Sequence, residues 1–212
     1  MKVNVNELNE NDFANIQVPE KYLRIRRAVE LVFVLVLFPF AAVICLVACI
    51  LIALDSEGSP IFIQYRMGFR GNKFKIYKLR TMRKHTYHNG VYRHESHCVT
   101  RVGHWLRKFR IDELPQLLNI IKGDMSLIGP RPEPIEYFEI CQDAIPLYKY
   151  RFLIKPGVTG WAQIHYVHTD DVAGARERLS YDAYYLKHIN ISNDLEILFK
   201  TPSVMITGRG AR

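Results

Sequence analysis

Four cysteines in 212 residues, with no Cys-x-x-Cys pair among them, exclude a disulfide framework, a structural zinc site and a dithiol redox motif. Cys45 and Cys49 sit in an apolar run and Cys98 and Cys141 stand alone, a pattern of free thiols in a reducing compartment. Negative charge is also short: 21 Asp and Glu face 29 Lys and Arg, for a net charge of +8. No acidic residue occurs between Glu57 and Glu95. Internal repeats are missing. With 49% hydrophobic and 24% charged residues, the chain is neither disordered nor fibrous. Its length fits one domain, or one domain with an appendage.

Charge of either sign is absent from Leu31 to Leu54, 24 consecutive positions. As one helix this run would extend about 36 Å, enough to cross a hydrocarbon core of about 30 Å. A signal peptide would have a shorter apolar region nearer the N-terminus. Here the run follows a polar stretch containing Glu7, Glu10, Asp12 and Glu20, so it reads as a retained anchor. Lys21, Arg24, Arg26 and Arg27 precede it, and Arg66, Arg70, Lys73, Lys75, Lys78, Arg80, Arg83, Lys84 and Arg93 follow it. Basic flanks prefer the cytoplasmic side. A spanning helix puts one basic flank outside, whereas a re-entrant hairpin bent at Pro39 keeps both inside. A kinked spanning helix is equally compatible with the residues alone.

Residues 1–20 read as a polar extension, loose or lying over the domain surface, and 21–30 as a basic lead-in suited to anionic lipid. Pro60–Tyr65 and Phe74–Leu79 predict two strands of a hairpin, with turn chemistry at Gly68 and Gly71-Asn72. Residues 83–98 read as a mobile loop; His85, His88, His94 and His97 lack the spacing and partners of a metal site. Thr100 predicts a helix cap. Leu114, Leu117, Leu118 and Ile121 recur at helical spacing, with Pro115 in the first turn and Gly123 at the end, which puts Asp112-Glu113 at that helix's N-terminus. Gly129–Pro132 reads as a stiff corner and Pro156–Gly160 as a turn, followed by helices over 172–188 and from about 194.

Asp112-Glu113 is the first candidate for chemistry. Adjacent carboxylates on a helix project about 100° apart and can do different jobs. Arg107, Arg110, Lys122 and Arg131 are near them in sequence, and arginines at a helix N-terminus suit phosphate oxygens. A divalent cation such as Mg²⁺ would reconcile carboxylates with phosphate, and a carboxylate can itself attack phosphorus. A capped helix with surface salt bridges explains the same spacing. Arg131 between Pro130 and Pro132 suits a phosphate clamp or a structural corner. The basic run 66–84 suits lipid headgroups or an anionic substrate better than nucleic acid, because it adjoins the anchor.

The segments Asp112–Asn119 (DELPQLLN) and Lys122–Pro132 (KGDMSLIGPRP) closely resemble the bacterial sugar transferase family, the monotopic polyprenyl-phosphate phosphoglycosyl transferases. Gln64-x-Arg66-x-Gly68, Phe74, Lys78–Met82, Lys155–Gln163, Tyr181-Asp182-x-Tyr184-Tyr185, Asp194-Leu195 and Thr201 extend the likeness over residues 24–212. The resemblance implies transfer of a sugar-1-phosphate from a UDP-sugar to a polyprenyl (undecaprenyl) phosphate, with release of UMP, as the first membrane step of bacterial glycan assembly. It implies Asp112 as nucleophile through a covalent phosphosugar intermediate, Glu113 in metal binding and proton handling, and a requirement for Mg²⁺ held by Asp112 and Glu113. It places Arg107, Arg131, Arg80 and Lys78 on substrate phosphates. It also implies a re-entrant anchor on the cytoplasmic face of the inner membrane, in contact with its lipid.

Two features depart from the family pattern. Members often begin the anchor with Lys-Arg-x-x-Asp, where this chain has Arg26-Arg27-x-x-Glu30. Many break the helix with Ser-Pro, where this chain has Ala42-Val43, with Pro39 about one turn earlier. The family's long forms carry a preceding block of transmembrane helices, and the resemblance leads us to expect a short form here. The expected fold is therefore mostly α with a small β-hairpin (α+β): a polar extension over 1–20, a lead-in and helix-break-helix membrane segment over 21–57, and a compact cytosolic catalytic domain over 58–212. A non-catalytic protein that binds anionic lipid through its basic face is the competing reading.

Overall fold

The computed structural model describes residues 1–83, 98–166 and 171–206. The histidines of the 83–98 stretch, His85, His88, His94 and His97, lie outside the described residues. The order of elements is α1 (Glu10–Ala14), α2 (Glu20–Asp55), β1 (Ile61–Met67), β2 (Lys73–Leu79), α3 (Arg101–Lys108), α4 (Gln116–Lys122), β3 (Ser126–Ile128), α5 (Ile135–Ala144), β4 (Gly157–Thr159), α6 (Trp161–His165), α7 (Val172–Lys187) and α8 (Ile191–Ile206). The fold is mostly helical with a small hairpin, as the sequence predicts, and with a second small sheet that it does not.

β1 and β2 form the expected antiparallel hairpin, with Ile61 opposite Leu79 and Met67 opposite Lys73. The second sheet pairs β3 with β4 in parallel, in a segment that the sequence reads as a plain turn. Glycine makes this pairing possible. A Cβ on Gly157 would stand 2.1 Å from the backbone nitrogen of Gly129, so only a bare backbone lets the two strands approach.

The largest core cluster joins Phe138, Tyr148, Phe152, Leu179, Ala183, Leu186 and Ile197, and Val5 and Phe13 of the N-terminal segment pack into it. Phe13 stacks on Tyr150 with ring centroids 4.8 Å apart. The N-terminal residues thus lie over the domain, one of the two arrangements expected for them.

α2 is a continuous helix of 36 residues with Pro39 inside it. The helix-break-helix expected at Pro39 is not seen. A proline removes one backbone hydrogen bond, and a long apolar helix tolerates that loss. Its buried positions, Glu30, Val34, Ala41, Ala48 and Ile52, are separated by four or seven residues, one or two turns, and define one face. The remaining circumference exposes Phe33, Leu35, Val36, Phe40, Val43, Leu46, Val47, Ile50 and Leu54. An 18-residue window of the helix has a mean hydropathy of 3.1. A core helix of that hydropathy would be covered by protein; this one presents an apolar surface suited to lipid.

The same domain holds both ends of α2. Near the start, Arg26 donates to Asp194 Oδ2 (3.0 Å) and to the Tyr185 hydroxyl (2.7 Å). Glu30 accepts from the Ser126 hydroxyl at 2.7 and 2.8 Å, so the longer side chain at the family's Asp position keeps a buried polar contact. Val34 packs with Phe74, Ile76, Ile120 and Met125, while Ala48 and Ile52 pack with Leu79 and Leu106. At the far end, Asp55 accepts from the Val102 N–H (3.0 Å), and Arg80 donates to the carbonyls of Ser56 and Glu57, each at 2.6 Å.

Candidate active site

Asp112 and Glu113 lie in a 3-10 turn, Ile111–Glu113, rather than in the first turn of α4, which begins at Gln116. Pro115 explains the shift. It lacks the N–H that would reach back to the Ile111 carbonyl, so the chain closes tighter bonds instead, Leu114 N–H to Ile111 (3.1 Å) and Glu113 N–H to Arg110 (3.2 Å). Arg110 enters the turn in the left-handed region, at φ 56°. α3 fixes the approach to this turn. Thr100 caps it by accepting from the Gly103 N–H at 2.9 Å, and Arg107 near its end donates Nε to the Thr81 hydroxyl at 2.9 Å.

The two carboxylates have different surroundings. Glu113 Oε1 accepts from Lys78 Nζ (2.8 Å) and from Arg131 Nη2 (3.1 Å). Burial alone would raise its pKa, but Lys78 and Arg131 outweigh burial and hold the carboxyl well below the usual range. Asp112 is 9% exposed, and its Oδ1 is buried without a hydrogen-bond partner. Burial, followed by the charge of Glu113, pushes the Asp112 carboxyl up to about 6, against the opposing pull of Lys78, Arg110 and Arg107. One carboxylate is neutralised by fixed cations, and the other keeps a free oxygen at the centre of a positive surround.

Of the residues the sequence singled out, Asp112, Glu113, Lys78, Arg131 and Arg107 converge here. Arg80 does not join their hydrogen bonds; it is buried and committed to Ser56 and Glu57 at the end of α2. Pro39 lies within α2. Sequence reasoning missed the mutual pairing of Lys78, Glu113 and Arg131, because strand β2 and the Pro-Arg-Pro corner meet only in three dimensions. It also left Arg66 out of the candidate site, although Arg66 stands in a quoted motif.

Among the described residues, no group of three or more His, Cys, Asp or Glu could hold a metal by itself. Mg²⁺, however, is commonly held by one or two carboxylates together with substrate phosphates. The orphaned, buried Asp112 Oδ1 fits that role, whereas Glu113 Oε1 is already shared by Lys78 and Arg131.

A membrane-facing helix fixed to a domain with a buried acidic pair among cations defines a class, enzymes acting on anionic substrates at a lipid surface. Residues 21–208 match the bacterial sugar transferase family, and the chain belongs to it. A UDP-N-acetylgalactosamine-undecaprenyl-phosphate N-acetylgalactosaminephosphotransferase of Aeromonas hydrophila is 37% identical over 100% of this chain and 50% of its own length. A UDP-glucose:undecaprenyl-phosphate glucose-1-phosphate transferase of Caulobacter vibrioides is 38% identical over 86% of this chain and 70% of its own length. The exopolysaccharide production protein PSS of Rhizobium leguminosarum is 38% identical over 83% of this chain and 90% of its own length. The chain thus spans only half the length of the Aeromonas relative.

Proposed function

We propose that the protein transfers a sugar-1-phosphate from a UDP-sugar to undecaprenyl phosphate at the cytoplasmic face of a bacterial inner membrane, releasing UMP. The observation that carries this reading is the buried, unpaired Oδ1 of Asp112 in a surround of Lys78, Arg107, Arg110 and Arg131. Family membership and the substrates in the relatives' names support the substrate classes.

In the first step an Asp112 carboxylate oxygen attacks the sugar-linked phosphorus of the UDP-sugar. A P–O bond to that oxygen forms, the bond to UMP breaks, and the electron pair leaves with UMP. In the second step a phosphate oxygen of the acceptor attacks the same phosphorus, the acyl-phosphate bond breaks, and Asp112 regains its carboxylate. A pKa near 6 leaves Asp112 ionised at neutral pH yet poorly solvated, hence reactive. Lys78 and Arg131 keep Glu113 ionised and fixed, and Arg107, steadied by Thr81, adds positive charge where phosphate oxygens would lie. Arg80 serves this site indirectly, by fastening the end of α2. Mg²⁺ held by Asp112 with substrate phosphate oxygens would offset their negative charge.

UMP release from a panel of UDP-sugars with undecaprenyl phosphate tests the proposal. Asp112→Asn is expected to lose at least about a thousandfold in kcat, and chelation of divalent ions to abolish release until Mg²⁺ is restored. Unchanged turnover in Asp112→Asn would remove Asp112 as nucleophile. Vesicle binding by a wild type that releases no UMP from any donor would favour a non-catalytic lipid binder.

A further inference from the structure

The corner at 131–134 holds a second arginine that the mechanism above does not use. Arg66 is near the end of β1, where Met67 N–H donates to the Glu133 carbonyl (3.0 Å) and Arg66 pairs with Pro134 in an isolated antiparallel bridge. Strand alternation puts Arg66 on the same face of the hairpin as Lys78, since Phe62 lies opposite Lys78 and Arg66 opposite Phe74. Lys78 reaches Glu113 from that face. Arg66 Nη1 donates to the Pro132 carbonyl at 3.3 Å, and its Nε is buried with no partner.

Of the three carboxylates whose charge reaches Arg66, Glu136 forms no ion pair with it, and Glu113 and Glu133 are engaged elsewhere. Glu113 Oε1 takes Lys78 and Arg131, and Glu133 Oε1 takes Arg151, Arg178 and Tyr148. Among the described residues, Arg66 forms no ion pair. Burial and the neighbouring charge of Arg131 push its guanidinium down to about 10. Two neighbouring guanidiniums in a half-buried corner, one paired and one not, are costly unless an anion joins them. The planar fork of arginine matches phosphate oxygens in two-point contact.

We propose that Arg66 binds a phosphate group of a substrate, completing with Arg131 a two-arginine cradle beside Asp112. The inference rests on the transferase reading for its substrates, but the chemistry recognised, a phosphate oxygen pair, does not depend on it. The phosphate could belong to the nucleotide diphosphate or to the polyprenyl acceptor.

The test uses the full chain in detergent micelles with Arg66→Gln and Arg66→Lys. In UMP release, Arg66→Gln is expected to raise KM at least about tenfold with a smaller change in kcat, and Arg66→Lys to recover part of the loss. A rise confined to the UDP-sugar assigns Arg66 to the nucleotide diphosphate, and one confined to undecaprenyl phosphate assigns it to the acceptor; either supports the cradle. Thermal unfolding separates binding from architecture. Without ligand, Arg66→Gln is expected to unfold no lower than wild type, because a half-buried charge without an ion pair is gone, whereas an arginine serving only to hold Pro132 would lower the midpoint on removal. Protection against unfolding by UDP and by undecaprenyl phosphate gives a readout independent of turnover. If wild type releases no UMP yet one of these ligands protects it and protects Arg66→Gln at least about tenfold less well in concentration, the transferase reading fails and the cradle stands. Equal KM values, or equal protection by both ligands, would overturn the proposal.

Discussion

At the scale of single residues, the dyad separates two carboxylates by what surrounds each. Glu113 is ionised by contact, and Asp112 is left poorly solvated with one oxygen free. This arrangement destabilises the resting fold. The folded protein keeps a proton on Asp112 up to about pH 6, whereas the ordinary value is 3.8. Between those values the folded chain binds more protons than the unfolded one, so stability falls as pH rises through the window, and the loss is complete above it. Asp112→Asn is therefore expected to gain about 1–3 kcal/mol at pH 8, with the gain shrinking to nothing near pH 4. Urea unfolding in detergent with a chelator present measures it; a variant no more stable than wild type at pH 8 would contradict the buried, unpaired state. The sequence displayed the dyad and its arginines. It did not display which carboxylate the cations hold, because that depends on Lys78 and Arg131 arriving from distant segments.

At the scale of elements, the site depends on close backbone approach and on how the long helix is fastened. A Cβ at Gly103 would lie 2.1 Å from the Thr81 carbonyl oxygen, so Gly103→Ala must push α3 away from the segment that orients Arg107. The expected cost is about 1–3 kcal/mol of stability, together with a fall in UMP release exceeding that caused by an exposed control such as His104→Ala. Arg26 is 11% exposed on its side chain and pairs with Asp194 at 3.0 Å and Glu30 at 3.6 Å. Arg26→Met leaves both buried carboxylates without their cation and is expected to cost about 3–5 kcal/mol by the same unfolding measurement. Helix periodicity, the Thr100 cap and the hairpin turn made α3, α4, α7, β1 and β2 legible in the sequence. The β3–β4 pair was not legible, since Pro-Gly segments at both places carry turn signals and only their juxtaposition makes a sheet. The start of α4 was misplaced because a proline in a first turn also permits a 3-10 turn before it.

At the scale of the whole molecule, the path of the apolar helix matters most. The sequence allowed a spanning helix or a hairpin. The structure has one unbroken helix with residues 26–30 and 55–57 both seated on one domain. A domain lies on one side of a bilayer, so contacts at both ends of an unbroken helix favour one that keeps both ends on that side and lies along the membrane surface rather than crossing it. Cysteines placed at positions 10 and 58, after replacement of the four native ones, are expected to resist an impermeant thiol reagent in intact cells and to react after lysis. Labelling of one position alone from outside would show that the helix crosses. The basic flanks raised the one-sided arrangement in the sequence, but the distribution of contacts along α2 did not follow from composition.

The clamps at Arg26, Glu30 and Arg80 leave no slack between anchor and domain. A flexible tether would let a catalytic domain hover and sample a volume of cytosol above the membrane. A domain bolted at both ends of its anchor keeps Asp112 at one altitude above the lipid. In the proposed reaction, encounters with the acceptor would then be a search in two dimensions, in which lateral diffusion brings the headgroup to the carboxylate.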